Sequence, residues 1–232
     1  NALYFSRVKY ITLEEIEKTA SSSGRYLQNI AVTGGEPFIR DDVFEIVHIW
    51  YKNSAAKTIS ITTNGSMPDR IENFAKKAAK TNIPVFFFFS YDFIGEKHSE
   101  YRKLKELHLN VIESYKIIKS FNNKFSGNFQ ITITPDTYKT AFETYKYIRD
   151  ELKIENVNIP LIRGSKADCL SSEMRLKLAD VYKQLQIMRS SDFDSGRLAG
   201  YKNKSPASIF LDAKNKILWK QVLKTFAEQK YI

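Results

Sequence analysis

Two hydrophobic periods alternate along this chain, one of about two residues and one of three to four. Val43, Ile46, Val47 and Trp50 share one face at the longer period and predict a helix over 41–52. Thr12-Leu13-Glu14-Glu15 sets a glutamate three residues after a threonine N-cap, a capping box that predicts a helix from there to about Ser22. The shorter period in Thr58-Ile59-Ser60-Ile61-Thr62 and in Phe129-Gln130-Ile131-Thr132-Ile133-Thr134 predicts strands over 58–63 and 129–134, the second stopped by Pro135. Apolar runs add strands at 29–33, 85–91 and 157–162. The third strand along the chain, with four consecutive phenylalanines, reads as buried on both faces, as parallel strands usually are. Further helices are predicted over 68–80, with Pro68 in the first turn, and over 100–121, 137–152 and 171–188. A loop rich in Ser, Gly and Lys follows over 190–205, and a last helix starts near Pro206.

Strands that each precede a helix pair in parallel through right-handed crossovers. Apolar strand faces meet the helix layer, and Ser, Thr and Gln point the other way. A closed barrel fills its middle with branched aliphatics, so a polar interior implies an open, solvated one. The chain opens on a helix. The expected fold is therefore α/β: an open, partial (β/α)6-type TIM barrel with parallel strands, lacking its first strand. Its core spans 1–190, and 191–232 form a loop and C-terminal helix.

Composition narrows the function classes. The 232 residues are 43% hydrophobic and 13% aromatic, enough for a substantial core. The net charge of +10 is spread over nearly every helix and forms no arm or stripe, so nucleic acid is not the expected principal partner. No run has the length of a membrane span, and the N-terminus is neither a signal nor a transit peptide, so no membrane partner and a cytoplasmic location are expected. Cys169 is the single cysteine, and one thiol builds no disulfide, zinc site or iron–sulfur cluster.

Polar groups recur at strand C-terminal ends: Gly34-Gly35-Glu36, then Thr63-Asn64-Gly65, then Ser90 with Asp92. Each alone is ordinary turn chemistry. In successive βα units they mark the edge at which parallel α/β folds bind ligands. Glycine lets a backbone approach a ligand closely, and Pro37 holds Glu36 extended. Carbonyls and one carboxylate at such a turn suit a ligand carrying an ammonium group.

GGEP after the strand at 29–33, TNG after 58–63 and S-x-D after 85–91 resemble the core domain of radical S-adenosylmethionine (radical SAM) enzymes. The wording Gly-Gly-Glu-Pro-Phe-Ile-Arg-Asp-Asp at 34–42 is similar to the branch that carries an extra C-terminal cluster domain (SPASM or twitch). The resemblance implies that Gly34, Gly35, Glu36 and Pro37 meet the α-ammonium of S-adenosylmethionine. It further implies that Thr63 and Asn64 flank the methionine moiety, that Ser90 and Asp92 lie by the ribose, and that Arg102 holds the cofactor carboxylate. His98 reads as a helix-start residue. Departures from the family wording are Ser99 and Lys103, where Asp and Gly are usual, and Phe93, where Gly commonly follows the aspartate. The C-x3-C-x2-C loop that ligates the family's [4Fe–4S] cluster is not among these residues. The resemblance thus implies part of an enzyme, inactive alone. Its intact form would cleave S-adenosylmethionine reductively to a 5′-deoxyadenosyl radical acting on a peptide or small-molecule substrate. Electrons would come from a flavodoxin or ferredoxin. The alternatives are a cluster-free scaffold or S-adenosylmethionine-binding protein, and an unrelated barrel using Gly34-Gly35 as a phosphate loop. Against the last stands Glu36, whose carboxylate repels phosphate.

Overall fold

The computed structural model describes residues 10–121, 124–154, 156–198 and 206–228. Strands β1 (Asn29–Val32), β2 (Thr58–Thr63), β3 (Val85–Ser90), β4 (Phe125–Gln130) and β5 (Val157–Asn158) form one parallel sheet in that order. Before, between and after them run helices α1 (Leu13–Ser23), α2 (Val43–Lys52), α3 (Pro68–Ala78), α4 (Glu96–Arg102), α5 (Leu107–Lys119), α6 (Ala141–Lys146), α7 (Ser165–Asp168), α8 (Ser172–Asp194) and α9 (Pro206–Glu228). The α/β alternation and parallel order agree with the expected partial barrel. Among the described residues, β1 and β5 pair on one side only, so the sheet is open.

The capping box forms as predicted: the Thr12 hydroxyl accepts from Glu15 N–H at 3.2 Å, and Glu15 accepts from Thr12 N–H at 2.8 Å. Pro68 opens α3, where its missing N–H removes no helical bond.

Four expectations are corrected. The helix predicted over 100–121 is two helices, α4 and α5, with Lys103 and Glu106 between them at φ 55° and 56°. The strand predicted at 129–134 starts four residues earlier, at Phe125. The period-two burial runs from 125 onward, but Gly127 and Asn128 weaken its sequence signal. The helix predicted over 137–152 forms only from Ala141 and ends in a wider turn over Tyr147–Glu151. The loop predicted over 190–205 begins later, because α8 continues to Asp194; residues 199–205 lie outside the described ones.

β3 is also not buried on both faces. Val85, Phe87 and Phe89 are buried, whereas Phe86, Phe88 and Ser90 are half-buried. The opposite face of β2 is half-buried at Ser60 and Thr62, and that of β4 at Asn128 and Gln130. A partly solvated second face explains why the polar residues of these strands are tolerated there.

The chain resolves into two compact units. The first holds residues 1–63, 67–87 and 114–126; the second holds 64–66, 88–113 and 127–232. In the first, an edge-to-face aromatic series runs Phe38–Phe74–Phe87–Phe125, with centroids 5.7, 5.8 and 5.9 Å apart. In the second, Tyr91 packs on Phe129 at 5.3 Å and on the His98 ring at 4.9 Å. There the outer edge of β5 is covered by side chains of α8. Arg189 Nε donates to Val157 O at 2.8 Å and Gln186 Nε2 donates to Ile159 O at 3.2 Å. Such covering blunts a strand edge that would otherwise pair with another chain.

Candidate functional site

In the first unit, the turn after β1 is set by its neighbours in sequence. Pro37 opens a single 3-10 turn, Pro37–Ile39, and holds Glu36 extended at φ −148°, ψ 115°. The turn is anchored by Phe38, which is 1% exposed within the aromatic series. Arg70 Nη1 fastens it further by donating to the carbonyls of Phe38 at 2.8 Å and Ile39 at 2.5 Å.

Glu36 therefore projects from a fixed backbone. Its Oε1 accepts from Phe38 N–H at 3.1 Å and from the Thr63 hydroxyl at 2.8 Å. Thr63 is 2% exposed at the end of β2, so a buried hydroxyl fixes the orientation of a half-buried carboxylate. At Gly34 and Gly35, both exposed, an added Cβ would meet nothing within 4 Å. Packing within the chain thus does not require glycine at either position, although the backbone of Gly34, at φ +158°, disfavours any other residue there. The open space above them is what a close-approaching ligand needs.

In the second unit, Asn64 Oδ1 accepts from Ser66 N–H at 2.8 Å, an Asx turn leading into Gly65. Gly65 is a structural requirement. Its φ is +68°, and a Cβ there would stand 3.1 Å from Val111 Cα.

Asp92 follows the end of β3 and is 1% exposed. Its Oδ1 accepts from Thr132 N–H at 3.1 Å, and its Oδ2 takes Arg102 Nε at 3.1 Å together with Arg102 Nη2. Both oxygens are used within the chain, and the Arg102 side chain remains 37% exposed. The two residues expected at the ligand form one ion pair with each other, the carboxylate inside and the guanidinium partly exposed.

His98 lies within α4, fully buried, and its Nδ1 accepts from Asp92 N–H at 3.2 Å. Nδ1 as acceptor requires the neutral ring. Burial pushes the imidazole pKa down to about 4, against the raising effect of Asp92. A histidine held neutral in this way supports the Asp92 backbone; its sequence reading as a helix-start residue missed that role.

The departures from the family wording have visible structural consequences. Lys103, where the resemblance expects glycine, adopts the left-handed conformation at φ 55° and ends α4. That conformation costs a non-glycine residue about 1–2 kcal/mol. Ser99 is buried, with its Oγ 2.9 Å from His108 Nδ1 and accepting from His108 N–H at 3.2 Å, which ties α4 to the start of α5. Phe93 is buried edge-on against Tyr101 at 4.8 Å. Cys169 is exposed at the end of α7. Among the described residues no cluster of three His, Cys, Asp or Glu side chains could hold a metal ion, and no helix is long and apolar enough to cross a membrane.

Comparison with known proteins places these features. The chain is 41% identical over 70 residues to a probable GTP 3′,8-cyclase of Methanocaldococcus jannaschii, a match covering 30% of this chain and 22% of that protein. It is 29% identical over 80 residues to a GTP 3′,8-cyclase of Actinobacillus pleuropneumoniae, covering 34% and 24%. Among solved structures, native anSMEcpe with bound AdoMet and Cp18Cys peptide aligns with a TM-score of 0.60 at 19% identity. That alignment covers 84% of this chain and 56% of the other. Native anSMEcpe with bound AdoMet alone gives 0.57 at 21% identity, covering 79% and 52%. The chain thus spans about a quarter of the length of these curated relatives and about half of these structures. Residues 3–148 match the Radical SAM superfamily, and with that span the chain belongs to this superfamily.

Proposed function

We propose that this chain is the S-adenosylmethionine-binding part of a radical SAM enzyme. The observation that carries the reading is Glu36: a carboxylate oriented by Thr63 and Phe38 N–H beside two glycines whose exposed faces are open. An α-ammonium fits such a group through charge-assisted hydrogen bonds. The Arg102 guanidinium, braced by Asp92, suits the carboxylate of the same cofactor. Asp92 braces Arg102 through Oδ2, and we keep it with Ser90 as a residue beside the ribose. Ser90, Asn64 and Pro37 complete the proposed cofactor contacts.

A [4Fe–4S] cluster, held by thiolates that are not among these residues, would supply the electron for reductive cleavage of bound S-adenosylmethionine. Cys169 is the one thiol of this chain, so the cluster's ligand set does not fit these residues. What this chain contributes is binding and orientation of the cofactor. We place the enzyme in the SPASM or twitch branch on the GGEPFIRDD wording at 34–42. Its substrate is a peptide or small molecule, and a flavodoxin or ferredoxin donates the electrons.

The test is formation of 5′-deoxyadenosine by the full-length, cluster-reconstituted protein under a strong reductant. Stoichiometric or catalytic release supports the reading. Bound S-adenosylmethionine without any cleavage would favour the S-adenosylmethionine-binding alternative, and absence of binding would contradict the reading and leave the cluster-free scaffold.

A further inference from the structure

Helix α9 encloses a cavity of about 410 Å³ against the segment that follows β5, wholly within the second unit. Its walls are mostly apolar: Leu161, Ala167, Leu218, Val222 and Phe226. One wall residue differs in kind. Arg175, near the start of α8, is 6% exposed. Its Nη2 donates to the carbonyls of Ala167 at 2.6 Å and Asp168 at 3.1 Å, and its guanidinium carbon lies 5.6 Å from the Phe226 ring centroid. Its Nε is buried with no hydrogen-bond partner.

Two neutral carbonyls do not neutralise a buried guanidinium, and a buried donor left without an acceptor is destabilising. Buried charges are ordinarily paired. A carboxylate arriving in the cavity would supply the countercharge to the guanidinium. Arg163 and Asp168 also line the cavity, and as opposite charges they leave no surplus to attract a polyanion. The remaining lining calls for an apolar body. The volume is within the ~300–1,000 Å³ typical of small-molecule sites.

We propose that this cavity binds a monocarboxylic acid with an apolar body, its carboxylate on Arg175 and its body among Leu218, Val222 and Phe226. The proposal draws on no part of the S-adenosylmethionine reading, and its test is done without that cofactor. Decanoate and decanol serve as probes in calorimetric titrations of the full-length protein. Wild type is expected to bind decanoate at least about tenfold more tightly than decanol, since hydrogen bonds to charged groups carry about that much affinity or more. Arg175→Met, which keeps the apolar stem, should erase this advantage while leaving decanol binding unchanged. Val222→Trp, which fills the cavity and leaves Arg175 in place, should abolish binding of both. Equal affinity for the two probes, no decanoate binding by wild type, or an advantage that survives Arg175→Met overturns the proposal. If Arg175→Met does not fold, decanoate binding that persists in Val222→Trp overturns it equally.

Discussion

Glu36 and Asp92 are both carboxylates placed just beyond the C-terminal end of a parallel strand, yet their surroundings assign them opposite work. Glu36 is half-buried, its Oε1 accepting from the Thr63 hydroxyl and Phe38 N–H, and stands beside open space at Gly34 and Gly35. Asp92 is 1% exposed and engaged at both oxygens by Thr132 and Arg102, while its own N–H is received by His98. One is oriented for a ligand; the other fixes the frame. The difference shows that two carboxylates at equivalent strand ends can be held by very different partners.

Substitutions separate these two roles by what they damage. Asp92→Ala is expected to cause the largest loss of stability, roughly 3 kcal/mol, because it leaves Arg102 and Thr132 N–H without their common partner. Chemical denaturation measures this, and an unchanged midpoint would place Asp92 outside the frame. The His98 imidazole gives a pH signature of the same region. Its folded pKa, near 4, is below the ordinary value of 6.5, so the unfolded chain takes up the proton first. Stability contributed by the neutral ring is complete above about pH 6.5 and is lost as pH falls toward 4, by roughly 3 kcal/mol in full. Stability measured against pH in wild type and His98→Gln should differ over that window and run in parallel above it.

The glycines sharpen the comparison at smaller scale. Gly65→Ala should destabilise by about 2 kcal/mol, through a left-handed backbone and a Cβ pressed against Val111. Gly35→Ala should change stability by about 0.5 kcal/mol or less, since its Cβ meets no atom of the chain. It should nonetheless weaken S-adenosylmethionine binding by entering the ligand's space. Thermal melts paired with cofactor titration check both; a large stability loss in Gly35→Ala would show that the turn is structural.

Much of this was legible in the sequence, for identifiable reasons. The β/α order, the capping box at Thr12 and the turn at Gly34–Pro37 follow from local signals that tertiary packing did not override. The start of β4 was not legible, because Gly127 and Asn128 carry almost no strand signal while their burial depends on neighbouring strands. The break between α4 and α5 was hidden because lysine and glutamate occupy its left-handed positions, where glycine would have announced it. The pairing of Asp92 with Arg102 joins residues ten apart across a turn, and spacing alone does not reveal it. The hydrogen bond from the Thr63 hydroxyl to Glu36 joins residues 27 apart and likewise has no local signal. Arg70 gave no signal at all, since its role is to hold two carbonyls about thirty residues away.

The most direct test of the account is the affinity of the full-length protein for S-adenosylmethionine, measured by calorimetry in wild type and Glu36→Gln with a thermal melt of each. The substitution keeps the size and the acceptor oxygen for Thr63 and removes the charge that faces an α-ammonium. The account predicts affinity weaker by roughly ten- to hundredfold, the equivalent of about 1.5–3 kcal/mol, with the melting temperature unchanged. Equal affinity in the two proteins would contradict it.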